Sequence, residues 1–364
     1  MIPYILLFLI PCIFSALNIK VKTKNGNKKI AIPIFFLIFF LILAFRNEEV
    51  GIDLINYKYY FEKISSYSSK ELFQNMLFSI NNIDIEPLYI LYNWIVSKIY
   101  NNFQFFLAIT AFITVYPIYK LYNEDDKFDC LKLILFMSIT CFTMFFSGLR
   151  QIIAISISIY AYKSVRENKL IKFLCIVLLA SLFHQSALIL LLMYPIYHIK
   201  IDRKKYIYSI AIILTIFIFR RSIFSLILPF LGKKYSKNII TETGAYSTYI
   251  LLVIFYLFII LVGKKDEKNK EILGLRNFLI ISIVIQGFAS LNDIAMRMNY
   301  YYLIYIPILI CRTLSNSEKK LQQVVKIAYI VMTIFFITYY YYSAFNGSDI
   351  LNVYPWKSCF IKII

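Results

Sequence analysis

Long apolar runs separated by short polar breaks set the pattern of this chain. Divided at its charged breaks, it gives apolar stretches at about residues 2–19, 30–45, 103–120, 131–147, 150–165, 171–183, 185–199, 206–219, 247–263, 277–291, 299–311 and 324–345. A bilayer-spanning helix takes roughly 20 mostly apolar residues, with a range of about 17–25. Because backbone polar groups in hydrocarbon must be satisfied internally, each stretch is expected to be a helix. The pattern therefore predicts an all-α, polytopic integral membrane protein of about 12 transmembrane helices. No tandem repeat and no Pro-, Gly- or Ser-rich linker divides it, so residues 1–364 read as a single membrane domain. Met1 to Leu17 lacks a basic leader and a small-residue cleavage site and is followed by lysines, which reads as a retained first helix.

The basic runs orient the helices. If residues 18–29, with Lys20, Lys22, Lys24, Lys28 and Lys29, face the cytoplasm, alternation also puts 120–132, 162–172, 200–205, 264–276 and 312–326 there. That side then holds 25 of the 39 basic residues, a net charge of about +15 against about +4 outside, as the positive-inside rule requires. Counting Pro87–Tyr100 as a further crossing would reverse the lysine-rich 162–172 loop. Its 14 residues make only about 21 Å of helix, so it is expected to lie on the outer surface as an interfacial helix, with Trp94 at headgroup level. Outer loops are expected at 46–102 and 220–246. The short segments either side of His184-Gln185-Ser186 should bring His184 below the outer surface.

Composition narrows the class. Hydrophobic residues make up 60% and charged ones 16%, against about 45–50% and 25% in soluble proteins, which excludes a soluble enzyme and a disordered chain alike. The formal charge of +19 would suggest nucleic acid on a soluble protein, but here it is mostly an orientation signal, and no nucleic-acid partner is expected. Six scattered cysteines without a CxxC spacing form neither a metal site nor a disulfide framework.

Isolated charges beside hydrocarbon cost about 2.5–3.5 kcal/mol each on insertion scales, which makes their positions informative. In the expected topology four groups fall on the outer face: Arg46 with Gly51 and Asp53; Arg150 with Gln151 after Gly148; His184 with Gln185; and Asp293 with Arg297. A solvated loop accounts for the first as well as a function does. Arg150 opposes the dipole at a helix start, yet its donors add to free backbone N–H groups in a setting that suits an anion. A lone histidine on an apolar face is usually a packing residue, as His198 is read to be. An i,i+4 ion pair explains Asp293 and Arg297 at little cost. Loop 220–246 is basic, with Arg220, Arg221, Lys233, Lys234 and Lys237 against Glu242, although parity puts it outside. Together these residues point to an anionic head group carried on a lipid.

The strings F-R-N-E-E-V-G-I-D-L-I-N-Y at 45–57, E-P-L-Y-I-L at 86–91, G-L-R-Q-I-I-A-I-S-I at 148–157, H-Q-S-A-L-I at 184–189 and R-M-N-Y-Y at 297–301 resemble the EpsG family of Wzy-type polysaccharide polymerases. The resemblance implies a membrane glycosyltransferase with a plan similar to the C-type superfold. It would polymerise capsule, exopolysaccharide or O-antigen repeat units, moving the growing chain from undecaprenyl diphosphate onto a hydroxyl of the next lipid-linked oligosaccharide. It implies location in the cytoplasmic membrane of a bacterium with the site on its outer face, membrane lipid as surroundings, and a chain-length regulator and a flippase of the same pathway as partners. On this reading Arg150 and Arg297, with Arg46, bind the diphosphate, and His184 or Asp53 accepts the proton. Gln151, Gln185 and Glu86 orient sugar or phosphate. No cofactor is expected, and without an outer D-x-D no metal site is either. A flippase of the same lipid-linked unit, with charges near the midplane and related halves, and a membrane acyltransferase are the alternatives.

Overall fold

A computed structural model describes residues 1–23, 26–78, 85–124, 127–200, 203–227, 246–263, 269–346 and 351–360. Among these residues the fold is helical apart from one antiparallel hairpin, β1 (Lys20–Thr23) and β2 (Gly26–Lys29), in which Lys20 pairs with Lys29. The chain divides into two compact units, Met1–Leu188 with Met332–Ile364, and Ile189–Val331.

The first unit holds α1 (Ile2–Ala16), α2 (Ala31–Ala44), α3 (Leu54–Ser65), α4 (Ser69–Phe78), α5 (Pro87–Ile99), α6 (Phe103–Tyr122), α7 (Asp129–Ile139), α8 (Met144–Ser147), α9 (Leu149–Arg166) and α10 (Leu170–Ser181). The second holds the latter half of a 3₁₀ segment at Gln185–Leu192, then α11 (Met193–His198), α12 (Arg203–Ile218), α13 (Arg220–Ile227), α14 (Tyr246–Val262), α15 (Lys270–Ala289), α16 (Asp293–Leu303) and α17 (Ile306–Ser315). The last helix, α18 (Gln322–Phe345), passes from the second unit into the first at Met332.

Apart from α3, α4, α5 and α13, these helices overlap the apolar stretches of the sequence. Among the described residues three are long and apolar enough to cross a membrane, Phe103–Tyr122, Lys270–Ala289 and Lys319–Phe345, and five are if two bent pairs count as one span each. Those pairs, Tyr208–Ile218 with Arg220–Leu226 and Asp293–Leu303 with Ile306–Ser315, bend by 72° and 40°. Shorter apolar helices include Ile2–Ala16 and Ala31–Ala44. The stretch expected at 131–147 is broken between Ile139 and Met144 into α7 and α8. In loop 220–246, Arg220 and Arg221 open α13, whereas Lys233, Lys234, Lys237 and Glu242 lie outside the described residues.

The region after α2 is itself folded. Leu54, Tyr57, Phe61 and Ile64 recur at helical spacing and bury one face of α3. Ser68 and Glu71 open α4 reciprocally: the Ser68 N–H donates to the Glu71 carboxylate at 2.8 Å and the Glu71 N–H to the Ser68 hydroxyl at 3.3 Å, a capping box. Pro87 starts α5, where its missing N–H is harmless. Asn102 caps α6 by accepting from the Phe105 N–H at 3.0 Å. The buried faces meet in one cluster that includes Leu54, Phe61, Tyr89, Ile90, Phe106, Leu149 and Ile153, each contributing roughly 1.5–3 kcal/mol by leaving water. This cluster fixes α3, α5 and the start of α9 against one another.

The segment 351–360 folds back over the exit of α2. The Gly51 and Ile52 N–H groups donate to the carbonyls of Asn352 and Leu351 at 2.9 and 2.8 Å, and those of Asn47 and Cys359 to Lys357 and Phe45 at 2.8 and 2.9 Å. The Trp356 indole donates to the Ile42 carbonyl at 3.0 Å. Gly51 permits the turn: its φ is +116°, and a Cβ there would lie 2.0 Å from the Phe146 carbonyl oxygen. Such strain costs about 1–3 kcal/mol before the clash is counted. Gly51→Ala should therefore lower the melting temperature of the purified protein by several degrees, and an unchanged melt would refute this account of the turn.

Candidate functional site

Three separated stretches of sequence meet on one carboxylate. Glu86 stands at the N-cap of α5 in extended conformation, Arg150 in the first turn of α9, and His184 just beyond α10. The Arg150 guanidinium donates to Glu86 Oε2 at 2.6 Å, and His184 Nδ1 lies 2.9 Å from Glu86 Oε1. The Gln185 backbone N–H adds a donor to Oε1 at 3.3 Å. The Leu88 N–H donates to the Leu182 carbonyl at 3.1 Å, tying the start of α5 to the bend that carries His184.

The side chains of Glu86, Arg150 and His184 are 11%, 25% and 17% exposed, which is open enough for a ligand and dry enough for charges to act strongly. Burial pushes the Glu86 carboxyl up, but the His184 hydrogen bond and the charges of Arg150 and His184 outweigh it and hold the group down at about 2. Glu86 is thus ionised at neutral pH and can only accept. Facing an acceptor, His184 Nδ1 is the donor in this contact, and in the neutral imidazole that leaves Nε2 as the acceptor.

Arg150 sits where the α9 dipole disfavours a cation, and Glu86 supplies the compensating anion from within the chain. One guanidinium nitrogen is engaged by Glu86, while Nε is buried without a hydrogen-bond partner. Tyr57 on α3 lies within electrostatic reach of this guanidinium; burial raises its phenol, and Arg150 pulls it partly back. Arginine has five donors, so the group has capacity left for a second anion.

Asp53 lies beside this cluster, close enough to act on the Tyr57 phenol. The Ser147 hydroxyl donates to its carboxylate at 3.0 Å and accepts from its backbone N–H at 3.3 Å, so α8 and the start of α3 are locked together just before Arg150. Arg46 is 2% exposed, its guanidinium 5.4 Å from the Phe146 ring centre and its backbone bridged to Ser358. Gln151 is buried, and the exposed Gln185 contributes its backbone rather than its side chain to Glu86. Asp293 and Arg297 belong to the second unit, where both are exposed on α16. Within that unit Asn299 donates to Gln286 at 2.9 Å in a buried amide pair, and Arg312 pairs with Glu271 at 2.6 Å.

The structure therefore brings Glu86, Arg150, His184 and the Gln185 backbone together, with Asp53 adjacent. Tyr57 and Ser147 were missed by sequence reasoning. Tyr57 follows Asp53 by four residues, one helical turn, and Ser147 immediately precedes the G-L-R-Q string that contains Arg150, so spacing held a signal for each.

The carboxylate makes a titration prediction. With its folded value near 2 against an ordinary 4.5, Glu86 contributes on the order of 3 kcal/mol at neutral pH. That stability is complete above about pH 4.5 and disappears as the pH falls towards 2. The melting-temperature advantage of wild type over Glu86→Gln should be several degrees at pH 6 and shrink markedly by pH 3; an advantage that does not change with pH would contradict the ion-pair geometry.

Searches of curated proteins and of solved structures give no significant match. The sequence profile described as the EpsG family matches residues 29–358, nearly the whole chain and with it all three arms of the carboxylate cluster. The chain belongs to the EpsG family, a family of Wzy-type polymerases.

Proposed function

We propose that the protein is a membrane glycosyltransferase that polymerises lipid-linked oligosaccharide repeat units. In this reading about 12 spans lie in the cytoplasmic membrane of a bacterium, with the carboxylate cluster on its outer face. The growing glycan leaves undecaprenyl diphosphate and joins a hydroxyl of the next lipid-linked unit. One observation carries the proposal: an ionised carboxylate holds a histidine and an arginine with spare donors in one partly buried cluster, in a chain of a polymerase family.

Each group has a task in such a transfer. The acceptor hydroxyl gives its proton to His184 Nε2 as its oxygen attacks the anomeric carbon, a role worth typically 10²–10⁴-fold. Glu86 orients the ring and stabilises the imidazolium that forms. The C–O bond to the diphosphate breaks, and the charge gathering on the departing phosphate oxygen is met by the unspent donors of Arg150. Asp53, held by the Ser147 hydroxyl, positions α3 and with it Tyr57 against Arg150. Arg46, packed on Phe146, adds positive potential near the cluster.

Cells carrying His184→Ala or Arg150→Ala should lose the long ladder of lipid-linked glycan on a gel while single repeat units still reach the surface. Arg150→Lys should restore little, because an ammonium cannot hold Glu86 and a diphosphate in the same fork. An unchanged ladder would sink the site assignment. Units that accumulate unexported would indicate a flippase, and full-length undecorated chains an acyltransferase.

A further inference from the structure

A polar cavity lies at the far end of α9 from Arg150. Arg150 and Arg166 are 16 residues apart on this helix, roughly 24 Å at 1.5 Å per residue. The cavity, about 470 Å³, opens between the last turns of α6 and α9 and is lined by Pro117, Lys120, Leu121, Glu124, Lys163 and Arg166, among others. Its back wall is apolar and aromatic, including Ile159 and Tyr160, and its rim is basic.

The acids at the rim are already matched. Arg166 holds Glu124 at 3.0 Å, and Lys169 holds Glu167 at 2.7 Å; Asp125 and Asp126, next in sequence, lie outside the described residues. Lys120 and Lys163 are exposed. Aromatic rings seat two of the cations: Lys120 Nζ is 4.6 Å from the Tyr116 ring centre, and the Arg166 guanidinium 5.5 Å from that of Tyr162. Such seating orients a cation without neutralising it.

Tyr116, against which Lys120 is seated, lines a neighbouring apolar groove of about 270 Å³ between α2 and α6, with Phe36, Leu37, Phe40, Phe112 and Val115. Tyr116 and Lys120 are one turn apart on α6, so the groove and the basic rim meet along one strip of that helix. A basic mouth at helix ends, joined to an apolar groove that runs along the helices, matches one ligand class. We propose that this is a binding site for an anionic phospholipid of the surrounding bilayer. The phosphate lies between Lys120 and Lys163, and an acyl chain lies along the α2–α6 groove. Basic pockets at helix ends are recognised receptors for such head groups. The site is separate from the carboxylate cluster and does not depend on the reaction assigned to it.

The test uses the full-length protein, delipidated in detergent and titrated with phosphatidylglycerol or phosphatidylcholine, with bound lipid counted by native mass spectrometry. Wild type should retain phosphatidylglycerol at least fivefold better than phosphatidylcholine, and Lys120→Ala/Lys163→Ala should abolish that preference while His184→Ala leaves it intact. Leu37→Trp, which fills the groove without changing charge, should lower retention of phosphatidylglycerol severalfold. Preference unaltered in the double lysine variant would overturn the proposal. So would displacement of the lipid by millimolar inorganic phosphate together with no effect of Leu37→Trp, which would mark a site for free phosphate. Lys163→Ala alone, at an exposed position, serves if the double variant does not fold, and should at least halve the preference.

Discussion

One carboxylate organises the candidate site. Glu86 is the meeting point of α5, α9 and the bend after α10, and without it Arg150 would be a cation against a helix dipole in a partly dry environment. A half-buried charge without a partner is strongly destabilising, so Arg150 and Glu86 have to be placed together. His184 shares the second oxygen, at 2.9 Å. The carboxylate that stabilises the arginine therefore also sets Nδ1 as the donor of the histidine, and the structure and the proposed chemistry rest on one group.

Around this point the first unit supplies rigid support. The aromatic and aliphatic cluster beneath α3, α5 and α9 fixes where the three arms converge. Ser147 ties the Asp53 turn to the lead-in of α9, and Gly51 lets that turn approach the Phe146 carbonyl. The segment 351–360 closes over the α2 exit through backbone hydrogen bonds and the Trp356 indole. Segments far apart in the chain thus hold the loop carrying Arg46 and Asp53, while the proposed chemistry is concentrated on Glu86, Arg150 and His184.

Much of this was legible in the sequence, for identifiable reasons. Runs of apolar residues between lysines locate the helices because no other backbone arrangement suits hydrocarbon. Arg150 and His184 stood out as isolated polar groups at breaks. Periodicity was less informative where tertiary packing decides. Residues 46–86 read as an outer loop, yet Leu54, Tyr57, Phe61 and Ile64 build α3 and Ser68 with Glu71 starts α4. Glu86 was read as orienting sugar or phosphate; that it accepts from Arg150 and His184 was not legible, because residues 64 and 98 positions away cannot be paired by local spacing. Nor does any local signal bring residues 351–360 onto 42–52, since those contacts join segments about 300 residues apart.

The central claim is that Glu86 presents Arg150 and His184 to a lipid diphosphate and an acceptor hydroxyl. The most direct measurement is an electron cryomicroscopy map of the protein in nanodiscs with a non-hydrolysable lipid-diphosphate oligosaccharide. The account predicts diphosphate oxygens within hydrogen-bond distance of the Arg150 guanidinium, an acceptor hydroxyl about 3 Å from His184 Nε2, and Glu86 still bonded to His184 Nδ1. A diphosphate bound elsewhere, with the Glu86–Arg150–His184 cluster closed and untouched, would contradict it.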